Sequence, residues 1–93
     1  MVNATFINTE GTQIKLTWTA VPNAVNYQIS RRNIDSEADF SVLETTTGII
    51  FEDFGDYLPE LGIYGLNNGI YIYKIEAFNN SSFLLKTDYT KKI

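Results

Sequence analysis

The chain has 93 residues, 44% hydrophobic and 14% aromatic, with eleven Asp and Glu against seven Lys and Arg for a net charge of −4. That is enough apolar material for the core of one domain, not two, and too much for a disordered chain. The acidic balance leaves only Arg31-Arg32 and Lys91-Lys92 as basic pairs, too little for a nucleic-acid phosphate backbone, and the absence of Cys and His removes disulfides, thiol catalysis, zinc-thiolate sites and the commonest general base.

No apolar run approaches the ~20 residues that span a bilayer, so no membrane insertion is expected. The start, M-V-N-A-T-F-I-N, lacks the basic and apolar regions of a signal peptide. A first short strand is expected near 4–8. Residues 13–19, Q-I-K-L-T-W-T, alternate, with Ile14, Leu16 and Trp18 on one face. That is the pattern of a half-buried strand. A turn at Pro22-Asn23 follows, and then V-N-Y-Q-I-S-R-R (25–32) alternates again, with Val25, Tyr27 and Ile29 together. Arg31-Arg32 reads as its solvated end. The acidic stretch 33–40 reads as a loop. Residues 40–47 read as an edge strand with Phe40, Val42 and Glu44 on one face and Ser41 and Leu43 on the other. Gly48 breaks it, and a short strand around Phe51 comes next.

Residues 53–69 hold four of the six glycines and one of the two prolines. Pro59 and the glycines exclude a long helix or central strand here. The stretch is expected to be a loop without strand periodicity. It is nevertheless apolar, with Phe54, Tyr57, Leu58, Leu61, Ile63, Tyr64 and Leu66, and an apolar loop packs on something. Asn68-Gly69 is a turn pair. The strand 70–78, I-Y-I-Y-K-I-E-A-F, puts Tyr71, Tyr73, Ile75 and Ala77 on one face, and Ile72, Lys74 and Glu76 on the other. A last strand is expected over 83–90. About seven short strands at this spacing predict an all-β, two-sheet antiparallel sandwich.

Three segments, taken in order, resemble a fibronectin type III domain of the kind found in bacterial secreted and surface proteins. They are L-T-W-T-A-V-P-N-A-V-N-Y-Q-I-S-R-R at 16–32, F-E-D at 51–53 and G-I-Y-I-Y-K-I-E-A-F-N at 69–79. The resemblance implies an immunoglobulin-like sandwich of about seven antiparallel strands over 1–93, excised from a larger multidomain protein. It implies core positions for Trp18 and Tyr27, and a strand-ending task for Asp53. It also implies a tyrosine corner at Tyr71, whose hydroxyl bonds to backbone just upstream. The expected role is a non-catalytic accessory or spacer module of an extracellular bacterial protein, such as a polysaccharide-degrading enzyme or an adhesin. Such a module is a monomer that meets neighbouring domains and uses no cofactor. One departure stands out. The connection from Phe51 to Tyr71 is longer than the family's, and Leu66-Asn67-Asn68-Gly69 stands where the family has Leu-x-Pro-Gly.

Two aromatic sets compete as binding sites. Trp18, Tyr27, Phe51, Tyr71 and Tyr73 have the faces to stack a sugar, but their alternation with polar neighbours favours a core together with Leu16, Ile29 and Ile75. Phe54, Tyr57, Leu61, Ile63 and Tyr64 form either a patch for a protein or glycan ligand or a cap over the end of the sandwich. Glu52, Asp53, Asp56 and Glu60 are oxygen ligands in principle, but their spacing is not that of a calcium loop, and no metal site is expected.

Overall fold

The computed structural model describes residues 2–35 and 38–93. Met1 lies outside the described residues, as do Ser36 and Glu37 of the expected acidic loop. Nine strands follow one another with no helix among the described residues: β1 (Val2–Phe6), β2 (Ile14–Trp18), β3 (Asn26–Asn33), β4 (Ser41–Thr46), β5 (Ile50–Asp53), β6 (Asp56–Leu58), β7 (Ile63–Gly65), β8 (Ile70–Phe78) and β9 (Phe83–Lys92). Seven of them build two antiparallel sheets, ordered β1-β2-β5 and β4-β3-β8-β9. The remaining two, β6 and β7, form a separate hairpin inserted between the sheets in sequence. The expected seven-strand sandwich is therefore present, with two further strands where a loop was expected.

The alternation of β2 and β8 decides how the sheets face one another. Ile14, Leu16 and Trp18 from the first sheet meet Tyr27, Ile29, Tyr71, Tyr73, Ile75 and Ala77 from the second in one buried cluster, joined by Leu66. Phe51 is only partly buried and packs on the rim of that cluster. Trp18 and Tyr27 meet edge to face, with ring centroids 5.6 Å apart. The Tyr27 hydroxyl then accepts from the Val21 N–H at 2.9 Å, which fixes the turn between β2 and β3.

The structure shows which face of β4 is inward and corrects two local readings, at Val25 and Arg31. In β4 it is Leu43 that packs against the core, while Val42 is exposed. The register shifts here: Ile29 pairs with Glu44 and Ser30 with Val42, so Leu43 is an extra residue of β4 bulged between them. Val25 is exposed as well, since it precedes β3 and serves only to donate its N–H to Phe78 O. Arg31 is not solvated. Its side chain is 19% exposed and turns inward onto Asp53.

The outward face of β8 and β9 is a small charge lattice. Lys74 lies opposite Asp88 and Glu76 opposite Lys86, so each cation faces an anion across the strands. Such cross-strand pairs favour this register over a slip.

Candidate functional site

The insertion between Asp53 and Leu66 is where this chain leaves a plain sandwich, and both of its ends are buried. Gly55 follows Asp53 with φ of +70°, a conformation that favours glycine. It also lies flat against Gly65, and a Cβ at Gly55 would sit 2.2 Å from the Gly65 carbonyl. Gly65 in turn lies against Thr12, whose O accepts from the Leu66 N–H at 2.8 Å. Asn8 holds Thr12 in place by accepting from the N–H groups of Thr12 and Gln13. The Gln13 amide donates to Tyr64 O at 2.8 Å. The hairpin is thus clamped at its base to the β1–β2 connection.

Above that base, Asp56 pairs with Gly65, Tyr57 with Tyr64 and Leu58 with Ile63. The Leu58 carbonyl accepts from both Leu61 and Gly62, closing the turn over Pro59, Glu60, Leu61 and Gly62. The pleat then separates two faces. Leu58 and Ile63 are half-buried on one. On the other, Tyr57 and Tyr64 meet edge to face at 5.4 Å. Phe54, Tyr57, Leu61 and Tyr64 are 50%, 54%, 62% and 60% exposed. Of the five loop residues singled out in the sequence, only Ile63 is half-buried. A depression of about 270 Å³ opens beside them, lined by Tyr57, Leu58, Pro59, Glu60, Leu61 and Asn67.

The residues in the first aromatic set take the other place. Trp18, Tyr27, Tyr71 and Tyr73 are buried and present no platform to a sugar. The Tyr71 hydroxyl donates to Asn67 O at 2.9 Å, four residues upstream, so the corner forms even though the long insertion precedes it. Tyr73 is fully buried, and its hydroxyl donates to Asp53 Oδ2 at 2.7 Å. Arg31 reaches the same oxygen at 2.5 Å, and the Gly55 N–H donates to Asp53 Oδ1 at 3.0 Å. The alternation of β8 places Tyr73 in the core, but nothing in the sequence signals its pairing with Asp53 and Arg31.

Electrostatics follow from this geometry. Burial works against the Arg31 charge, but the hydrogen bond and charge of Asp53 outweigh it and hold its pKa above the ordinary value. Burial first, and then the charge and hydrogen bond of Asp53, push the Tyr73 phenol well above its usual 10.0. The folded chain therefore keeps a proton that the unfolded chain releases above about pH 10. Stability from this group is complete below that pH and falls as pH rises, by about 1.4 kcal/mol per unit. Urea midpoints from about pH 9 to about pH 11 should show a steeper loss in the wild type than in Tyr73→Phe. Equal slopes would rule the account out.

Asp53 is thus spent within the sandwich, and only Glu52, Asp56 and Glu60 of the acidic set are exposed. Glu52 stands opposite Lys15 on the neighbouring strand. Among the described residues, no group of three or more carboxylates gathers in a metal-holding arrangement.

No protein-family model matches the chain, and no curated protein matches it. Solved structures do. An Fn3-like protein from Clostridium thermocellum superposes with a TM-score of 0.70 at 22% identity, covering 97% of this chain and 84% of that one. The chain has a fibronectin type III fold. The structure named FN3tt agrees, with a TM-score of 0.69 at 13% identity over 96% of this chain and 84% of that chain. At such identities the likeness concerns the path of the backbone. In the fibronectin type III frame, the Tyr71 corner and the Trp18–Tyr27 pair are structural members, and the β6–β7 hairpin is the surface feature left over.

Proposed function

We propose that this fibronectin type III domain is a non-catalytic accessory module of a larger extracellular bacterial protein, meeting its partner through the β6–β7 hairpin. The observation that carries the reading is the exposure of Phe54, Tyr57, Leu61 and Tyr64 on a hairpin whose base is clamped. Exposed apolar side chains gathered on a rigid support mark a contact surface, because water leaves them on binding at little ordering cost. A neighbouring domain, a separate protein or a glycan fits that description. A structural task for the buried charges fits this reading: Asp53 accepts from both Arg31 and Tyr73 inside the sandwich.

A second reading, a plain spacer, draws on the path of the chain. β1 begins opposite Trp18 at one end of the sandwich, and β9 ends beside Gly69 at the other. A module whose first and last strands leave at opposite ends holds its neighbours apart by the length of the sandwich. In that case the hairpin is a cap on the sandwich.

Thermal unfolding of Tyr57→Ala/Tyr64→Ala separates the two readings. An interface pair should cost no more than about 1.5 kcal/mol, the value of an aromatic pair beyond its burial, while contact with the partner is lost. A cost of about 3 kcal/mol or more would make the hairpin a structural cap and remove the contact reading.

A further inference from the structure

The hairpin surface has a distinctive charge. From Asn33 to Tyr73 the sequence contains eight Asp and Glu and no Lys or Arg. Of these, Asp53 is neutralised by Arg31 and Glu52 faces Lys15. Asp56 and Glu60, on the hairpin itself, are exposed with no described cation paired to them in an ion pair. Several cations that flank this stretch are held elsewhere. Lys74 sits 4.4 Å and Arg32 6.0 Å from the centre of the Phe40 ring, and Lys91 lies 4.6 Å from that of Phe6. Lys92, at the end of β9, is exposed.

The depression beside the turn adds shape to this charge. Its lining combines an aromatic residue, Tyr57, and the apolar Leu58, Pro59 and Leu61 with the acidic Glu60 and the polar Asn67. At about 270 Å³ it falls below the ~300–1,000 Å³ of pockets that enclose whole small molecules. It suits one side chain. A long apolar stem ending in a cation matches such a site end to end, because Lys and Arg bury their methylenes and keep the charged head at a polar rim. The exposed ring of Tyr57, which lines the depression, favours the same head by cation–π attraction.

We propose that the hairpin docks a basic polypeptide segment, with a Lys or Arg side chain seated between Tyr57, Leu61 and Glu60. This rests on the hairpin being a contact surface and goes further in naming the chemistry of what it contacts. The apolar ring and leucine contacts hold the segment, and Glu60 and Asp56 select its sign and speed its approach.

The test is an amide-resolved NMR titration of the 93-residue chain with three ligands: a peptide of Arg, Leu and Gly, its counterpart with Glu in place of Arg, and a neutral cello-oligosaccharide. The cationic peptide should shift amides of 54–65 and the other two should not. Its affinity should fall with added salt, since exposed charges are screened beyond ~10 Å at 0.1 M. Glu60→Gln should weaken it about threefold to fivefold, and Tyr57→Ala about tenfold or more. Shifts at the hairpin from the acidic peptide or the oligosaccharide, equal to or above those from the cationic one, would overturn the cationic partner and leave the contact surface standing. Cationic shifts that fall outside 54–65, or no shift with any ligand, would overturn the proposal. The stability of Tyr57→Ala/Tyr64→Ala then decides separately whether the hairpin is a cap.

Discussion

Asp53→Ala should lower unfolding free energy by about 3–5 kcal/mol and the melting temperature by roughly 15–30 °C, as in a domain that loses one partner of a buried ion pair. Asp53 is 5% exposed and accepts from Arg31, Tyr73 and Gly55. Its removal strands a guanidinium that is largely out of water and a phenol with no acceptor, and it also frees the residue that starts the hairpin. Asn at this position should do little better, because its amide nitrogen would face a donor whichever way it turned. The double variant Arg31→Met/Asp53→Leu should recover the part of the loss that comes from the stranded guanidinium, since apolar side chains of similar size replace buried ion pairs at little cost, and adding Tyr73→Phe should recover more by removing the unpaired phenol. Circular dichroism melts of these variants test the account. A cost below about 1 kcal/mol for Asp53→Ala would show that the pair is effectively solvated.

This cluster also shows where sequence reading stops. The strands β2 and β8 were legible because each alternates over five residues or more against a hydrophobic core, so the period alone places Leu16, Trp18, Tyr73 and Ile75 inside. The inward face of β4 is not legible, because Leu43 is an extra residue opposite Ile29 and Ser30 and the bulge breaks the relation between sequence parity and face. The hairpin escaped for a different reason. Strands of three residues are too short to show a period, and Asp56, Tyr57 and Leu58 look like loop until they are paired with Gly65, Tyr64 and Ile63. Pro59 and the glycines exclude a long helix or a central strand, and that exclusion does not touch a short two-stranded hairpin with Pro59 and Gly62 at its turn. The exposure of Tyr57 and Tyr64 depends on which face the clamp turns toward solvent. That follows from contacts across roughly fifty residues, such as Gln13 to Tyr64, which no local pattern carries.

Trp18→Ala should be comparably damaging, at about 3–5 kcal/mol, whereas Trp18→Phe should cost only about 1–2 kcal/mol. The indole is 6% exposed and packs edge-on against Tyr27, so truncation removes both its buried area and an aromatic pair. It also lines a cavity of about 180 Å³ with Val2, Val21, Pro22 and Leu85. Loss of the ring would enlarge that space and undercut the turn that the Tyr27 hydroxyl holds at Val21. Phe keeps most of the ring and most of the pair. It also removes an N–H that is buried and donates to no group among the described residues, which offsets part of the lost volume. The contrast between the two variants is therefore the informative measurement. If the role of Trp18 is to fill the sandwich end, stability tracks ring volume and Phe retains most of it. If Phe proves as costly as Ala in urea melts, the indole N–H must have a partner that matters, and the volume argument fails.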